Sequence, residues 1–454
     1  MININNLNNN SFVEEYVLFA SMFKWLFLSS TIGVLAGAIT SLFIKLIDYG
    51  CSITCKYNNY FLLLPLALFL SSFIIIKLAP DAKGHGTEKA IEAVNMKEGK
   101  MNIKVVPVKI ITTFITIVFG GSVGEEGPAT QIGAAVGSFF SDLLKLDDKD
   151  RKRLVVCGIG AGFVGVFGAP IGAAIFACEV LYIGKISYNS LLPSIISTFF
   201  SYFTGKYLGT KALIYYFIPV STVSAPKKFL YLVIFGIVIG IFALIFIKIV
   251  EGIEKAFNNI NIYAPLKGII GGLLIILIVY VTKSKDYIGI GEEFISKAIS
   301  GNEVNGFSFF IKTITTSLTL GSGGSGGILT PMLFTGATLG NVWASIINAN
   351  LSLYSAIGMV SFLAACANTP LAGIVISMEL FGSEVGIYAS IVCVIGYLIV
   401  GHRSIYPTQL VMLSKSPSID INVNCEIKEV KEFKIKNKFL KKFINRVNFI
   451  FYNH

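Results

Sequence analysis

At 454 residues, with 54% hydrophobic and only 14% charged residues, and with a mean hydropathy of +0.73, the chain is far more apolar than a soluble domain, in which about 25% of residues are charged. It reads as a membrane protein. Of the formal net charge of +11, +6 lies in "KEVKEFKIKNKFLKKFINR" near the C-terminus, and "DDKDRKR" clusters four basic residues among three acidic ones; the positive-inside rule assigns both runs to the cytoplasm, and the basic tail suits anionic lipid rather than nucleic acid.

In chain order, residues 1–16 begin with the Asn-rich "MININNLNNN". This stretch lacks a basic n-region and a cleavage site, so it is expected to be a disordered polar cap and not a signal peptide. Residues 17–210 then carry uncharged apolar runs at Trp25 to Ile44 and Tyr60 to Ile76, each suited to crossing about 30 Å of hydrocarbon. After a linker at 211–224, further runs follow at Phe229 to Ile247, around Ile269 to Val281, and around Gly386 to Val400, within 225–412. A dozen or more helices are expected in all. Pro128 to Leu146 and Pro331 to Asn348 each start behind a glycine-rich loop. They predict broken or re-entrant helices, whose loops must be buried in protein or line a watery cavity. Residues 413–454 form the basic tail, expected as a juxtamembrane helix lying on lipid. The seven cysteines have no CxxC pair and are expected mostly as small buried thiols.

The sequence repeats itself. "GGSVGEEGPATQIGAAVG" from Gly120 aligns with "GGSGGILTPMLFTGATLG" from Gly323, so that Pro128 meets Pro331 and five glycines meet glycines at an offset of 203. "GHGTEKAIEA" from Gly84 aligns with "GIGEEFISKA" from Gly289, Lys109 with Lys312, Pro170 with Pro370, and Glu179 with Glu379. Two homologous halves, commonly inverted in transporters, bring interrupted helices together near the midplane. Their N-termini offer free amides and positive dipole ends, which is an anion site. Glu125 and Glu126 fall on Ile328 and Leu329 of the second copy. The fold therefore does not demand carboxylates there, and a carboxylate beside an anion site reads as a gate.

These residues are similar to those of the CLC family of chloride channels and chloride/proton exchangers, of the type without a large C-terminal domain. "GEEGP" resembles the family's gate loop, which makes Glu126 the gate and Gly124 and Gly127 its glycines. "GGILTP", with Gly326 and Gly327, resembles the loop whose amides, here at Ile328 and Leu329, hold the central anion. "GHGTEKA" stands at the remaining binding loop with Gly84, His85 and Gly86, and "RSIYPTQL" supplies Tyr406 where the family has a pore tyrosine. The resemblance implies an all-α polytopic membrane protein of two inverted repeats with broken and re-entrant helices. It further implies a cell-membrane homodimer with one pore per subunit, a cytoplasmic C-terminus, chloride as the transported ion and no cofactor or metal.

Three departures stand out. His85 replaces the usual Ser, Glu125 replaces the usual basic residue beside the gate, and Thr87-Glu88 replace an Ile-Pro pair. Exchangers carry an inward-facing Glu one residue after the position of Glu179; this chain has Val180. That weighs toward a passive, glutamate-gated chloride channel, with proton-coupled exchange as the alternative and transport of another small anion such as fluoride or nitrate as a more distant one. Glu179, like Lys109 and Lys312, recurs in both halves. It reads as a helix cap before a proton-path acid, and the lysines as snorkelling or countering buried carboxylates. An enzyme is not supported, because the three histidines, 85, 402 and 454, form no HExxH and no phosphate-binding loop is present.

Overall fold

The computed structural model describes residues 11–210, Ile218, 225–430 and 434–437. The first half contributes α1 (Ser11–Thr54), α2 (Leu64–Leu78), α3 (Thr87–Met96), α4 (Val105–Val118), α5 (Glu126–Leu143), α6 (Asp148–Phe167), α7 (Pro170–Glu179) and α8 (Tyr188–Tyr207). The second contributes α9 (Ala225–Asn259), α10 (Ala264–Thr282), α11 (Glu292–Ile299), α12 (Ser308–Gly321), α13 (Leu329–Ile346), α14 (Leu351–Ala367), α15 (Pro370–Phe381) and α16 (Ser383–Val400). The helices correspond one to one, α1 with α9 through α8 with α16, as inverted repeats. Five segments, Val13–Thr54, Tyr60–Leu78, Phe229–Asn259, Ala264–Thr282 and Ser383–Val400, are long and apolar enough to cross a membrane. These coincide with the apolar runs read from sequence. In contrast α3, α7, α11 and α15 have 10, 10, 8 and 12 residues. At about 1.5 Å per residue none of these spans the hydrocarbon, so their ends lie inside the protein.

The repeat is visible in local chemistry. Asp147 caps α6 through the amide of Asp150 at 2.8 Å, and Asn350, 203 residues on, caps α14 through the amide of Leu353 at 2.9 Å. Gly133 on α5 and Gly158 on α6 let the backbones touch, since a Cβ on either would lie 2.1 Å from the other's carbonyl oxygen. Gly336 on α13 and Gly358 on α14 repeat this contact at 2.3 Å. Without a hydrophobic drive between helices in lipid, such close small-residue crossings supply the packing.

Between the halves runs a seam of hydroxyls. Ser122 bonds Thr316 at 3.0 Å and accepts from Thr315 at 3.1 Å, while Thr113 bonds Ser325 at 3.1 Å. Its centre is an antiparallel bridge: the Gly124 amide donates to the Gly327 carbonyl at 2.8 Å, and the Gly327 amide returns a bond to Gly124 at 2.6 Å. An antiparallel bridge between equivalent residues places a local twofold axis between the two glycine loops. Buried loop amides are satisfied by the opposite half, as a lipid-enclosed loop requires.

Several boundaries differ from the sequence reading. Residues 1–10 lie outside the described residues, and α1 already starts at Ser11, inside the stretch read as a polar cap; with no proline before Trp25, nothing stops the helix. The linker 211–224 is outside the described residues except Ile218. In the basic tail, Lys434–Ile435 (β5) pairs antiparallel with Ile419–Asp420 (β3) and is not helical there; 431–433 and 438–454 lie outside the described residues. Four cysteines, 157, 178, 366 and 393, are buried, but Cys55 is exposed and Cys51 half-buried, and none is in a disulfide.

After α16 the chain folds back under the helices. Leu410–Val411 (β2) pairs with Tyr182–Ile183 (β1) on one side and Cys425–Glu426 (β4) on the other. Gln409 clamps this segment by donating to the carbonyls of Val180 at 2.7 Å and Ala367 at 2.8 Å. Tyr406 is thereby held deep in the protein, with no exposed surface.

Candidate anion site

The two glycine loops, the Gly84 loop and Tyr406 converge. Gly84 and Gly86 both adopt φ of +86°, which only glycine takes without strain. The turn presses Gly86 onto Gly127, whose carbonyl oxygen would lie 2.3 Å from a Cβ on Gly86. Gly127 in turn would place a Cβ 2.1 Å from the His85 carbonyl oxygen and 2.8 Å from Gly327 Cα. Gly326 and Gly327 are equally crowded, against Val123 at 2.1 Å and the Gly127 amide at 2.8 Å. Three loops from both halves thus meet backbone to backbone, with Ile328 and Leu329 buried at the start of α13.

Glu126 is fully buried in the first turn of α5. Its Oε2 accepts the Thr330 hydroxyl at 2.6 Å, and the backbone amides of Thr330, Glu125 and Glu126 face the carboxylate. Oε1 has no partner. Gly124 makes the space, because a Cβ there would lie 2.0 Å from Thr330 Oγ1 and 2.5 Å from Glu126 Oε2. Glu126 therefore sits on helix N-termini of both halves, in a cradle suited to any small anion. Thr330 was not singled out from sequence. Its signal was a hydroxyl directly before Pro331, in the first turn of a helix that begins at the second copy of the glycine loop.

His85 does not turn away from this centre. Its ring centroid is 5.6 Å from that of Tyr406, and Nδ1 is buried without a partner. The Tyr406 hydroxyl is likewise buried and makes no hydrogen bond of ordinary geometry, with Thr87 the polar side chain nearest to pairing with it. Thr87 bonds Thr130 at 3.0 Å, which donates to the Gly127 carbonyl at 2.7 Å. Buried polar groups are nearly always satisfied. Among the buried side-chain atoms without a partner are Glu126 Oε1, His85 Nδ1 and the Tyr406 hydroxyl, all at this convergence of loops.

Glu179 lies elsewhere. Its carboxylate accepts the amides of Leu371 at 3.1 Å and Ala372 at 2.8 Å, at the start of α15. Glu379 does the same for Ile171 at 3.0 Å and Gly172 at 2.7 Å, at the start of α7. Each half caps the other's short helix. Glu179 also borders a cavity of about 460 Å³ with Tyr182, Asn368 and Tyr397, while neighbouring Val180 is fully buried. Glu179→Gln is expected to lower stability by about 1–3 kcal/mol, because an amide nitrogen would face a backbone N–H. Anion flux, and any proton movement that accompanies it, should be unchanged. Thermal unfolding together with paired flux assays checks both; loss of coupling at full stability would make Glu179 a proton carrier.

Lys109 and Lys312 neither snorkel nor face carboxylates. Both are fully buried. Lys109 Nζ donates to the carbonyls of Ala82 at 3.0 Å and Gly84 at 2.6 Å, and Lys312 Nζ to Gly289 at 2.8 Å. Each pins the equivalent loop of its half, whose strained glycine turn leaves carbonyls without helical partners. At the Thr54 end of α1, a cavity of about 400 Å³ is lined by Asp48, Lys285, Asp286, Glu292 and Glu293 among others. Glu125, 4% exposed, lies within the electrostatic reach of the like charges of Glu292, Glu126 and Asp48, and its side chain makes no hydrogen bond among the described residues.

Inverted repeats, broken helices and a carboxylate seated on opposed helix N-termini define a membrane transport protein for small anions. The family model described as voltage gated chloride channel matches residues 67–401. The chain is 33% identical over 414 residues to a chloride/fluoride channel protein of Pseudomonas syringae pv. tomato, covering 88% of this chain and 90% of the relative. An uncharacterized protein of Methanocaldococcus jannaschii is 30% identical over 390 residues, 85% of this chain and 95% of that one. Among solved structures, a CLC-type fluoride/proton antiporter superposes with a TM-score of 0.81 at 29% identity, covering 86% of this chain and 98% of that chain. A slow cyanobacterial chloride/proton antiporter shares the fold at a TM-score of 0.74 and 18% identity. The chain belongs to the CLC family of voltage gated chloride channels.

Proposed function

We propose that this protein exchanges a small halide, with fluoride preferred, for protons across the cell membrane, with Glu126 as the gate and proton carrier. The observation that carries this reading is the seat of Glu126. The carboxylate occupies the same amide and hydroxyl cradle that would hold an anion, so the two exclude each other. Leaving that cradle as a charge would strand an ion in a buried, water-poor site, which costs several kcal/mol; leaving it protonated does not. Each vacancy therefore goes with a proton, which favours exchange over the passive conduction that Val180 alone suggests. The preference for fluoride rests on the hydroxyl and N–H donors of Thr330, His85 and Tyr406, which suit a compact, strongly accepting ion. Two relatives, both of which carry fluoride in their descriptions, support it. Ile328, Leu329 and the Gly84 to Gly86 loop complete the anion site in this reading.

The family resemblance adds a homodimer with one pore per subunit and a cytoplasmic C-terminus. Lys24 of α1 pairs with Asp150 in "DDKDRKR", so in this reading the start of α1 lies on the same side as that segment. The test uses purified protein in fluoride-loaded liposomes, with fluoride efflux and external pH followed together while an ionophore clamps the voltage. Efflux that drives protons uphill is the expected result. Fluoride or chloride flux with no proton movement above leak would make the protein a channel.

A further inference from the structure

We propose that His85 and Glu88 form a proton-carrying dyad in which Nδ1 of His85 becomes an anion donor only when the dyad holds an extra proton. The inference rests on the halide-exchange reading and assigns that exchange a second proton-linked group, distinct from Glu126. His85 Nε2 lies 3.5 Å from Glu88 Oε2, one helical turn apart at the start of α3. That distance is ion-pair range and longer than an ordinary hydrogen bond; an ionised carboxylate there, which can only accept, favours the tautomer with hydrogen on Nε2. In that state Nδ1 presents a lone pair to the buried space it shares with the Tyr406 ring, and a halide is repelled. One proton taken up by the pair reverses this: either the imidazole becomes doubly protonated, or Glu88 donates to Nε2 and Nδ1 carries the hydrogen. Nδ1–H and the Tyr406 hydroxyl, both buried and unpartnered, then offer two donors to one ion.

The proton has a route. Glu88 keeps 24% of its side chain exposed against 11% for His85. It lies on the side that carries the C-terminal segment, where Thr408 donates to its backbone carbonyl at 3.3 Å. Water there protonates Glu88, and the same proton returns to water when the halide leaves. The other charged groups facing the pair are Lys89 and Glu92 on α3, Lys109 from α4, Glu254 from α9, and Glu426 and Lys428 from the tail. Lys109 is committed to loop carbonyls, Lys89 to Glu92 at 2.7 Å, and Lys428 to Glu426 at 2.5 Å. Glu88 has no ion-pair partner except His85 among the described residues. This arrangement places a titratable acid near the water-facing mouth although Val180 stands where exchangers carry one, and it accounts jointly for the departures at 85 and 88.

The experiment measures binding of sodium fluoride and sodium chloride by calorimetry to the full-length Glu126→Gln protein, in which the gate no longer titrates, at about pH 5.5 and about pH 7.5. Affinity is expected to rise on acidification, by at most about tenfold per pH unit for one linked proton. Adding Glu88→Gln should flatten the profile, because a neutral amide cannot take up the proton that switches the tautomer. His85→Ser should also bind without pH dependence, through a hydroxyl that is always a donor. A flat profile in Glu126→Gln alone, or a slope that survives Glu88→Gln, overturns the dyad. Absence of halide binding at both pH values overturns the halide-site reading itself, and the dyad with it.

Discussion

Glu126→Gln is expected to cut halide-driven proton movement to the leak level, at least about 100-fold below the native protein, while halide flux persists and loses its dependence on external pH. Gln is close to isosteric and still accepts the Thr330 hydroxyl, which lies 2.6 Å from the native carboxylate. It carries no charge to compete with an anion for the amides of the cradle, and it cannot take up or release a proton. Halide binding should tighten, by about tenfold or more, since the competitor is now a neutral dipole and each 1.4 kcal/mol is a factor of ten. Paired fluoride and proton flux in liposomes gives the answer directly. An unchanged ratio of protons to halide would remove Glu126 from the mechanism.

The second large effect is expected at Gly127. Alanine there would set a Cβ 2.1 Å from the His85 carbonyl oxygen and 2.8 Å from Gly327 Cα. Both neighbours are backbone, so no side chain can swing aside, and the loops must part by roughly 1 Å to reach ordinary contact. Overpacking of this kind costs about 1–3 kcal/mol. The functional cost is larger, because a displacement of about 1 Å at a positioned site is enough for a 100-fold loss. Gly127→Ala should therefore lower transport about 100-fold or more with a smaller fall in thermal stability. Gly252→Ala on α9, where an added Cβ meets nothing within 4 Å, is the control. Native transport in Gly127→Ala would show that the three-loop junction is not the ion path.

The seat of Glu126 also explains why the alignment of the halves was informative. In the second copy its position is Leu329, buried at the start of α13, and that helix forms without any carboxylate. Capping alone therefore does not account for Glu126. The opposite holds for Glu179 and Glu379, which recur in both halves and cap each other's short helices. A chemical group present in both copies belongs to the scaffold. One present in a single copy, at the crossing of the two, is not required by the scaffold, which is why the proposed gate role falls to it.

Some of this was legible residue by residue. The five long apolar spans, the two-part repeat, the glycine loops and the separate character of Glu126 follow from periodicity, composition and self-alignment, which depend on local order along the chain. Thr330 escaped, because its importance comes from a hydroxyl of one half meeting a carboxylate of the other, 204 residues apart. Lys109 was misread for a related reason. A buried lysine in an apolar helix suggests a carboxylate or the membrane surface, and only the turn of the Gly84 loop shows that its partners are backbone carbonyls.

The sequence by itself determined that the protein is a two-fold repeated, all-helical membrane protein with amide-rich loops and one odd carboxylate pair, since hydropathy, helix breakers and repetition are properties of neighbouring residues. Only the tertiary structure decided which loops touch, that Glu126 fills the cradle shared by α5 and α13, that His85 faces Tyr406 with Glu88 at its back, and that each half caps the other. Those facts depend on a local twofold axis that brings residues some 200 positions apart within hydrogen-bond reach, and no pattern along a single strand of sequence records a distance across such an axis.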